Sequence, residues 1–308
     1  MIKEKSVLSL VGRTPIVRLY EIEKYFDLSA RLYASLESYN PSGSVKDRAA
    51  LFMIRDALES GRLREGGVVI EATSGNMGIS LSMLSLVYNY RAIILMPKNM
   101  SEERIRLIKS YGGEVVLTNA DRGMSGAIDR AEELAGETRA FIPSQFTNRQ
   151  NLLAHYSTTG PQIFRELCGG VDIFVCGVGT GGTIGGAGRY LKEKNPSVRI
   201  FAVEPYESAV VSGRGRGSHG IQGIGAGFVP PLLDLALIDG VIDPTTDEAV
   251  EYQRILLKKE GIFAGISSGA SLFGAVRLAK REENKGKSIV TLFADGGERY
   301  LSVNLDKP

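Results

Sequence analysis

Apolar residues follow two patterns along this chain: short continuous runs, and longer stretches in which they recur at helical spacing. The short β-branched or apolar runs predict strands at residues 68–72, 92–96, 114–117, 172–176, 199–203 and 288–293. The longer stretches predict helices at residues 46–60, 77–88, 101–111, 126–134, 183–194, 247–260 and 268–280. Because most of the strand runs are continuous rather than alternating, both faces of these strands are expected to be covered.

The alternation of strands with helices predicts an α/β fold with a parallel sheet. A length of 308 residues allows two α/β domains or one large one. No long linker rich in Pro, Ser or Gly marks a boundary, and the turn-rich residues 144–148 are the best candidate for one. Both ends of one helix can be predicted, because Thr245 and Glu248 indicate a capping box at its start and Gly261 is placed to end it.

Composition and charge exclude several classes of protein. Hydrophobic residues make up 43% and charged residues 23%, which argues against disordered and fibrous proteins. The net charge of +2 gives no broad field for gripping nucleic acid or an anionic membrane, so a small-molecule ligand fits better. The first residues lack the apolar segment of a signal peptide, and no run reaches the roughly 18 apolar residues of a membrane span. Cys168 and Cys176 suggest neither a disulfide framework nor a metal site, so a reducing, cytoplasmic location is expected.

The first of three turns that combine glycine with polar residues spans residues 40–48, Asn-Pro-Ser-Gly-Ser-Val-Lys-Asp-Arg. It leads Lys46 into the first turn of a predicted helix, where the partial positive charge of the helix N-terminus disfavours an ammonium group. A Schiff base requires a neutral amine, so Lys46 is a candidate nucleophile. From this motif alone, a solvated surface lysine beside Asp47 and Arg48 is at least as good an interpretation.

The second turn, residues 71–78 (Glu-Ala-Thr-Ser-Gly-Asn-Met-Gly), connects a predicted strand to a helix. Hydroxyl, amide and backbone N–H groups are concentrated there, which suits an anionic group such as an α-carboxylate or a phenolate oxygen. An ordinary helix cap is the alternative. Asn76 is the most specific residue of this turn.

The third turn, residues 175–183 (Val-Cys-Gly-Val-Gly-Thr-Gly-Gly-Thr), lies between a buried strand and a helix and predicts a phosphate-binding loop. It lacks the Gly-Lys-Ser/Thr ending of an ATP-binding Walker A loop. Gly177, Gly179 and Gly182, with Glu204 about 20 residues later, also match the dinucleotide fingerprint, so a nicotinamide-dependent oxidoreductase competes. A dehydrogenase has no particular need of the first two turns. A phosphate-bearing aldehyde cofactor needs a lysine, a partner for its ring oxygen and a phosphate site.

Taken in order, these motifs resemble the cysteine synthase (O-acetylserine sulfhydrylase) branch of the pyridoxal-phosphate-dependent β-replacement enzymes. The resemblance runs from residues 12–15 (Gly-Arg-Thr-Pro) to residues 298–300 (Glu-Arg-Tyr). It includes residues 145–146, 155–161 and 222–228. It therefore covers essentially the whole chain.

The resemblance implies a tryptophan synthase β-like α/β fold of two domains. Each domain is expected to be a mostly parallel twisted sheet flanked by helices, with the active site between them. The smaller domain, carrying Lys46 and the Asn76 turn, is expected at residues 1–12 and 36–147. The larger domain, carrying the phosphate-binding loop, is expected at residues 13–35 and 148–308.

The resemblance also implies roles for individual residues, with pyridoxal 5′-phosphate as the cofactor. Lys46 is implied as the Schiff-base lysine and catalytic base, and Asn76 as the partner of the ring oxygen. Ser267 is implied to face the pyridine nitrogen, although its turn by itself indicates only a helix cap. The phosphate site is implied at Gly179, Thr180, Gly181, Gly182 and Thr183. Substrate binding is implied at Thr73, Ser74, Gly75, Met77, Gln145 and Gly225. No metal ligand is expected.

The implied reaction converts O-acetyl-L-serine and sulfide into L-cysteine and acetate through an α-aminoacrylate intermediate. The nearest alternative uses L-cysteine as the β-substrate and releases hydrogen sulfide, with water or a second cysteine adding to give serine or lanthionine. From other classes, a nicotinamide-dependent oxidoreductase and a catalytically idle partner of serine acetyltransferase stay open. The resemblance implies a homodimer and leaves open an association with serine acetyltransferase.

Two positions depart from the family pattern. Met77 stands where the family usually has threonine after Thr-Ser-Gly-Asn, which removes a hydroxyl group from the substrate-carboxylate loop. The backbone N–H groups remain, so carboxylate binding should survive, but the preferred β-substituent is left open. Arg13 stands where asparagine is common, with no physical consequence that we can derive.

Overall fold

Strands and helices alternate along most of the chain in the computed structural model, which describes residues 6–303. The strands are β1 (Ile16–Arg18), β2 (Arg31–Leu36), β3 (Val68–Ala72), β4 (Arg91–Pro97), β5 (Glu114–Thr118), β6 (Ile173–Gly177), β7 (Arg199–Val203), β8 (Gly240–Ile242) and β9 (Ser288–Phe293). The α-helices are α1 (Tyr20–Tyr25), α2 (Lys46–Glu59), α3 (Asn76–Tyr88), α4 (Glu102–Ser110), α5 (Gly123–Thr138), α6 (Arg149–Ala154), α7 (Gly160–Glu166), α8 (Gly182–Lys194), α9 (Thr246–Glu260) and α10 (Ile266–Ala279). Residues 1–5, which were considered for a signal peptide, and the outermost ends of the two predicted domains lie outside the described residues.

The strands form two sheets. The larger sheet has the order β1-β2-β9-β6-β7-β8, and the smaller has the order β3-β4-β5. Neighbouring strands are parallel in both sheets except for β1, which runs antiparallel to β2. The predicted α/β class with parallel sheets is confirmed, and each predicted strand is present within one residue of its expected ends.

Several elements were not predicted from the sequence. β1 and β8 are three-residue strands at the two edges of the larger sheet, too short to form a recognisable apolar run. Between α6 and α7, residues His155–Thr159 form a π-helical turn, and α7 then begins with a proline in its first turn. A π-helical turn interrupts the 3.6-residue period, so helical spacing is not continuous across this segment.

Both faces of each sheet are buried, as the continuous apolar runs predict. In the smaller sheet, Val69 packs with apolar residues of α2 and α3, whereas its neighbour Ile70 packs with α5. In the larger sheet, Val175 packs with α9 and α10, whereas Phe174 packs with α7 and α8. Among residues 6–303, no helix is long and apolar enough to cross a membrane.

The predicted ends of α9 are confirmed. The hydroxyl of Thr245 accepts a hydrogen bond from the backbone N–H of Glu248 at 3.2 Å, and the Glu248 carboxylate accepts one from the backbone N–H of Thr245 at 2.8 Å. Gly261 follows the helix in the left-handed conformation, with φ of 68°. These contacts satisfy backbone groups that the helix itself leaves unpaired.

Candidate active site

A cleft of about 290 Å³ lies between the two sheets. Its wall includes residues just after the ends of three parallel strands: Thr73 directly after β3, Gly179 two residues after β6, and Ala294 directly after β9. Ligands in α/β folds bind at the carboxyl ends of parallel strands. The cleft therefore lies where strand ends from both sheets supply turns to one site.

Lys46 is the first residue of α2 and lies in the wall of this cleft. The turn before it is fixed by Asp47, whose carboxylate accepts a hydrogen bond from the backbone N–H of Ser42 at 2.7 Å. Burial lowers the pKa of Lys46 from its ordinary value, while the nearby Cys176 and Asp295 act in the opposite direction. The neutral amine expected from the sequence is thus favoured, with burial as the main cause.

Asn76 begins α3 directly after Gly75, which has φ of 142°, a conformation that favours glycine. The Asn76 Nδ2 group donates to Asp295 Oδ2 at 2.6 Å, and Asn76 Oδ1 accepts from Arg299 Nη1 at 2.7 Å. Both partners come from the segment after β9. They fix the orientation of the amide and leave one of its two N–H bonds for a ligand oxygen.

The turn between β3 and α3 carries further donors. The hydroxyl of Thr73 accepts a hydrogen bond from the backbone N–H of Gly75 at 3.0 Å, which holds the turn in shape. Gln145 donates from Nε2 to the backbone oxygen of Ala72 at 3.1 Å, so its side chain is anchored to the end of β3. The first N–H groups of α3 have no partner within the helix. The turn can therefore receive a carboxylate.

The turn between β6 and α8 requires glycine for steric reasons. A Cβ atom on Gly179 would lie 2.5 Å from the backbone oxygen of Gly223, and one on Gly181 would lie 2.9 Å from the backbone nitrogen of Leu233. Gly181 also has φ of 81°. The turn is thus a close-packed cradle that a side chain would fill.

Two threonine hydroxyls add polar groups to this cradle. Thr180 Oγ1 accepts a hydrogen bond from Asn151 Nδ2 at 2.9 Å, so its own O–H is free to donate. Thr183 Oγ1 lies 3.1 Å from His155 Nε2. Together with the unpaired N–H groups and the positive end of α8, these hydroxyls suit a phosphate group.

Ser267 and Gly225 complete the wall on the side of the larger sheet. Ser267 is the second residue of α10, and its side chain is buried at the edge of the cleft. Gly225 has φ of 68°, and its backbone N–H donates to the backbone oxygen of Val178 at 3.0 Å. This bond holds the loop of Gly225 against the turn that follows β6.

The structure brings most of the residues predicted for the site into the wall of one cleft. They are Lys46, Thr73, Ser74, Asn76, Met77, Gln145, Gly179, Thr180, Gly181, Thr183, Gly225 and Ser267. The two that do not line it are Gly75 and Gly182. A Cβ atom on Gly75 would collide with Arg104, and one on Gly182 would collide with Asn151. These two glycines allow close packing behind the turns.

An apolar wall of the cleft was not predicted. It is formed by Met100, Met124 and Phe146, together with Met77. Met77 itself is fully buried and belongs to the apolar core beneath the smaller sheet. Its side chain therefore contributes more to packing than to the open surface of the cleft.

Buried charged residues around the cleft were also missed. Arg104 donates to the hydroxyl of Tyr300 at 2.6 Å and to the backbone oxygen of Ser74 at 3.3 Å, which links the Asn76 turn to the segment after β9. Both Arg104 and Ile108, four residues later on α4, are buried. An arginine on the apolar face of an amphipathic helix was the one available sequence signal.

Cys176 also lines the cleft. Burial raises its pKa to about 12, so it stays a thiol at neutral pH and is a poor nucleophile. Within residues 6–303, no group of three or more His, Cys, Asp or Glu side chains is arranged to hold a metal ion.

Comparison with known proteins adds independent information. A family model described as pyridoxal-phosphate dependent enzyme matches residues 7–295. The chain is 44% identical over 301 residues to a cysteine synthase of Staphylococcus aureus, which covers 97% of this chain and 96% of that protein. It resembles the solved structure of a cysteine synthase (OASS) of Entamoeba histolytica, with a TM-score of 0.95, 40% identity, and coverage of 99% and 91%. It also resembles a hydrogen sulfide-producing enzyme of Fusobacterium nucleatum, with a TM-score of 0.94, 43% identity, and coverage of 97% and 100%.

Proposed function

Because the chain belongs to the family of pyridoxal-phosphate-dependent enzymes, we propose that it is a cysteine synthase, which converts O-acetyl-L-serine and sulfide into L-cysteine and acetate. The observation that carries this proposal is the position of Lys46, whose pKa is lowered, in one cleft with the Asn76 turn and the glycine-rich turn. The cysteine synthase relatives, which share about the full length of the chain, support the same reaction. A buried lysine in this cleft does not support the alternative of a nicotinamide-dependent oxidoreductase.

The residues of the cleft fit pyridoxal phosphate. In this proposal Lys46 holds the cofactor covalently, and the remaining N–H of Asn76 binds its ring oxygen. The phosphate is bound by residues 179–183, where threonine hydroxyls and helix N-terminal N–H groups act as donors. The hydroxyl of Ser267 would bind the ring nitrogen. When bound, the cofactor withdraws electrons from the substrate, which makes the Cα proton acidic and lets the β-substituent leave.

Lys46 has a second task as the general base. The amino group of the substrate would first displace Lys46 from the cofactor, and the freed neutral amine would then accept the proton from Cα of the substrate. The lowered pKa keeps that amine available near neutral pH. Acetate leaves with the electron pair of the Cβ–O bond. Sulfide then forms the Cβ–S bond, and Lys46 returns its proton to Cα.

The substrate is held by the turn between β3 and α3. Its α-carboxylate is bound by the hydroxyls of Thr73 and Ser74 and by the backbone N–H groups of residues 76 and 77 at the start of α3, and Gln145 and Gly225 complete the substrate site. The side chains of Met100, Met124 and Phe146 would supply apolar contacts to the part of the substrate that lies in the cleft.

The release of hydrogen sulfide from L-cysteine is the second candidate function. A specific observation favours it, namely the Fusobacterium nucleatum hydrogen sulfide-producing enzyme, which has 43% identity and complete coverage of that chain. Both reactions use Lys46 in the same way, so only the choice of β-substituent and nucleophile separates them.

A product assay tests the proposed function. Purified holoenzyme is offered O-acetyl-L-serine with sulfide, and in parallel L-cysteine alone. A higher kcat/KM for cysteine formation from O-acetyl-L-serine supports the proposal. A higher kcat/KM for sulfide release from L-cysteine identifies the second candidate as the main activity. Formation of neither product by protein loaded with the cofactor would refute both.

We also propose, from the family resemblance, a cytoplasmic homodimer with the two domains expected from the sequence. An association with serine acetyltransferase stays a prediction. Light scattering of the purified protein tests the homodimer, because a monomer mass would contradict it.

A further inference from the structure

His155 lies directly behind the glycine-rich turn. It is fully buried in the π-helical turn His155–Thr159, with Nδ1 2.9 Å from Thr159 Oγ1 and Nε2 3.1 Å from Thr183 Oγ1. Thr183 in turn lines the cleft. The three side chains thus form a chain of contacts that ends at the proposed phosphate site.

Close packing of α8 against the π-helical turn makes this contact possible. A Cβ atom on Gly186, one helical turn after Thr183, would lie 2.7 Å from the backbone nitrogen of Tyr156 and 2.9 Å from Cβ of His155. Only glycine lets the two backbones approach this closely. The imidazole therefore reaches the first turn of α8, where the phosphate donors are located.

The imidazole carries a single proton. Burial, with the positive charge of Arg48, lowers the pKa of His155 to about 3, against a weaker opposing effect of Glu37. A neutral imidazole has one N–H donor and one bare nitrogen acceptor. Its two threonine contacts are consequently of opposite kinds, and two arrangements of the protons satisfy both.

In the first arrangement, Thr183 donates its hydroxyl proton to Nε2, and His155 donates from Nδ1 to Thr159. The oxygen of Thr183 then faces the cleft with lone pairs only. These lone pairs and a phosphate dianion repel each other. In the second arrangement, Thr159 donates to Nδ1, and His155 donates from Nε2 to Thr183. The hydroxyl proton of Thr183 is then free to point into the cleft.

We propose that His155 is a positioning residue. Its imidazole is protonated at Nε2 and donates to Thr183 Oγ1, which orients the hydroxyl proton of Thr183 toward the cofactor phosphate. Thr159 completes the chain by donating to Nδ1. The inference rests on the proposed function, because it takes residues 179–183 as the phosphate site. His155 acts through Thr183 and touches neither substrate nor cofactor.

The tautomer is measured directly by NMR of the holoenzyme labelled with ¹⁵N-histidine. The chain contains two histidines, His155 and His219, and a His219→Gln variant assigns the signals. A neutral His155 protonated at Nε2 at neutral pH is the expected result. Protonation at Nδ1, or at both nitrogens, overturns the proposal.

Two substitutions at His155 test the function of that proton. In His155→Gln the side-chain amide reaches the position of Nε2 and can still donate to Thr183, whereas in His155→Asn it reaches only the position of Nδ1. Titration of the apoprotein with pyridoxal phosphate should show an affinity loss of about tenfold for the Asn variant, the effect of one hydrogen bond to a charged group. The Gln variant should stay within about threefold of the unaltered protein.

The effect must also depend on Thr183. In a Thr183→Val background, which lacks the hydroxyl, His155→Asn should cause little further loss of affinity. An undiminished loss in that background would mean that His155 merely fills space, and it overturns the proposal. Equal affinities of the Asn and Gln variants overturn it as well.

The same titrations separate this inference from the proposed function. If Thr183→Val leaves the cofactor affinity of folded protein unchanged, the phosphate site itself is wrong, and the inference fails with it. If Thr183→Val weakens binding but His155→Asn does not, only the role of His155 is wrong.

Discussion

Glu37→Gln is predicted to lower the free energy of unfolding by about 3 kcal/mol, the lower end of the cost of breaking a buried ion pair. Arg48 Nε donates to Glu37 Oε2 at 2.8 Å and Arg48 Nη2 donates to Oε1 at 2.9 Å, with both side chains at most 1% exposed. The amide keeps the shape of the carboxylate but leaves the guanidinium without a counter-charge. Hydrogen bonds from Arg48 to Thr14 and Gln162, both at 2.8 Å, remain and limit the loss.

Removal of the arginine of this pair should lower the free energy of unfolding by at least as much. Arg48→Met removes the cation and leaves the Glu37 carboxylate buried among neutral partners such as Ser35 and Asn40, each at 2.8 Å. The double variant Glu37→Gln/Arg48→Met should cost less than the sum of the two single changes, because neither leaves an uncompensated charge in the presence of the other.

Acidification should reproduce part of this loss. Although burial acts to raise it, the pKa of Glu37 is held below its ordinary value of 4.5 by the Arg48 guanidinium and by hydrogen bonds from Ser35 and Asn40. A lowered folded-state pKa contributes stability that is fully present above the unfolded value and is lost as pH falls through the folded value. The unfolding free energy should therefore decline as the pH falls below the ordinary pKa of 4.5. In the Glu37→Gln variant this decline should be smaller.

The assay is denaturant unfolding of the apoprotein, followed by circular dichroism, because a bound cofactor would add its own stabilisation. Glu102→Gln is the matched control: Glu102 pairs with Arg106 at 3.0 Å, but both side chains are at least 70% exposed. Such a surface pair contributes about 0–1 kcal/mol. If Glu37→Gln lowers the unfolding free energy no more than Glu102→Gln does, the buried ion pair does not stabilise the fold.

Lys46→Ala should retain noncovalent binding of pyridoxal phosphate but lose turnover by orders of magnitude in a steady-state assay, because both the covalent link and the base are removed; near-normal turnover would contradict the assignment. Gly181→Asp should weaken cofactor binding in a titration far more than Gly181→Asn, which shares the strain at φ of 81° but lacks the charge; equal losses would mean that no phosphate lies nearby. Met77→Thr should lower the unfolding free energy by roughly 2–5 kcal/mol, since this side chain is fully buried. It should also change kcat/KM for O-acetylserine and cysteine by the same factor, whereas a selective change would make Met77 a specificity residue.

The three glycine-containing turns were predictable because their signals are local. A glycine with positive φ such as Gly181, or a threonine beside a helix N-terminus such as Thr183, belongs to a few consecutive residues of sequence. Their meeting in one cleft follows from the rule that ligand sites lie at the carboxyl ends of parallel strands. The role of Ser267 had no such local signal, because its turn is also an ordinary start of a helix. The assigned roles and the domain boundaries stay predictions.

The residues that were missed are those whose partners are distant in sequence. Arg104 and Tyr300 are separated by 196 positions, and His155 and Thr183 by 28, so no spacing rule connects them. The amphipathic pattern of α4 places Arg104 on the apolar face of the helix but does not identify its partner. Buried charges become recognisable only when the partner that compensates them is known.

These distant partners explain why the cleft has a defined shape. Apolar packing alone would hold its two sides together while leaving the amide of Asn76 free to rotate. The hydrogen bonds from Arg299 and to Asp295 remove that freedom, because one requires the amide oxygen and the other the amide nitrogen at a fixed position. Arg104 does the same for the backbone of Ser74. The turn proposed to receive the substrate carboxylate is thus oriented by buried charged residues, and the free energy of burying those charges is the cost of a preorganised site.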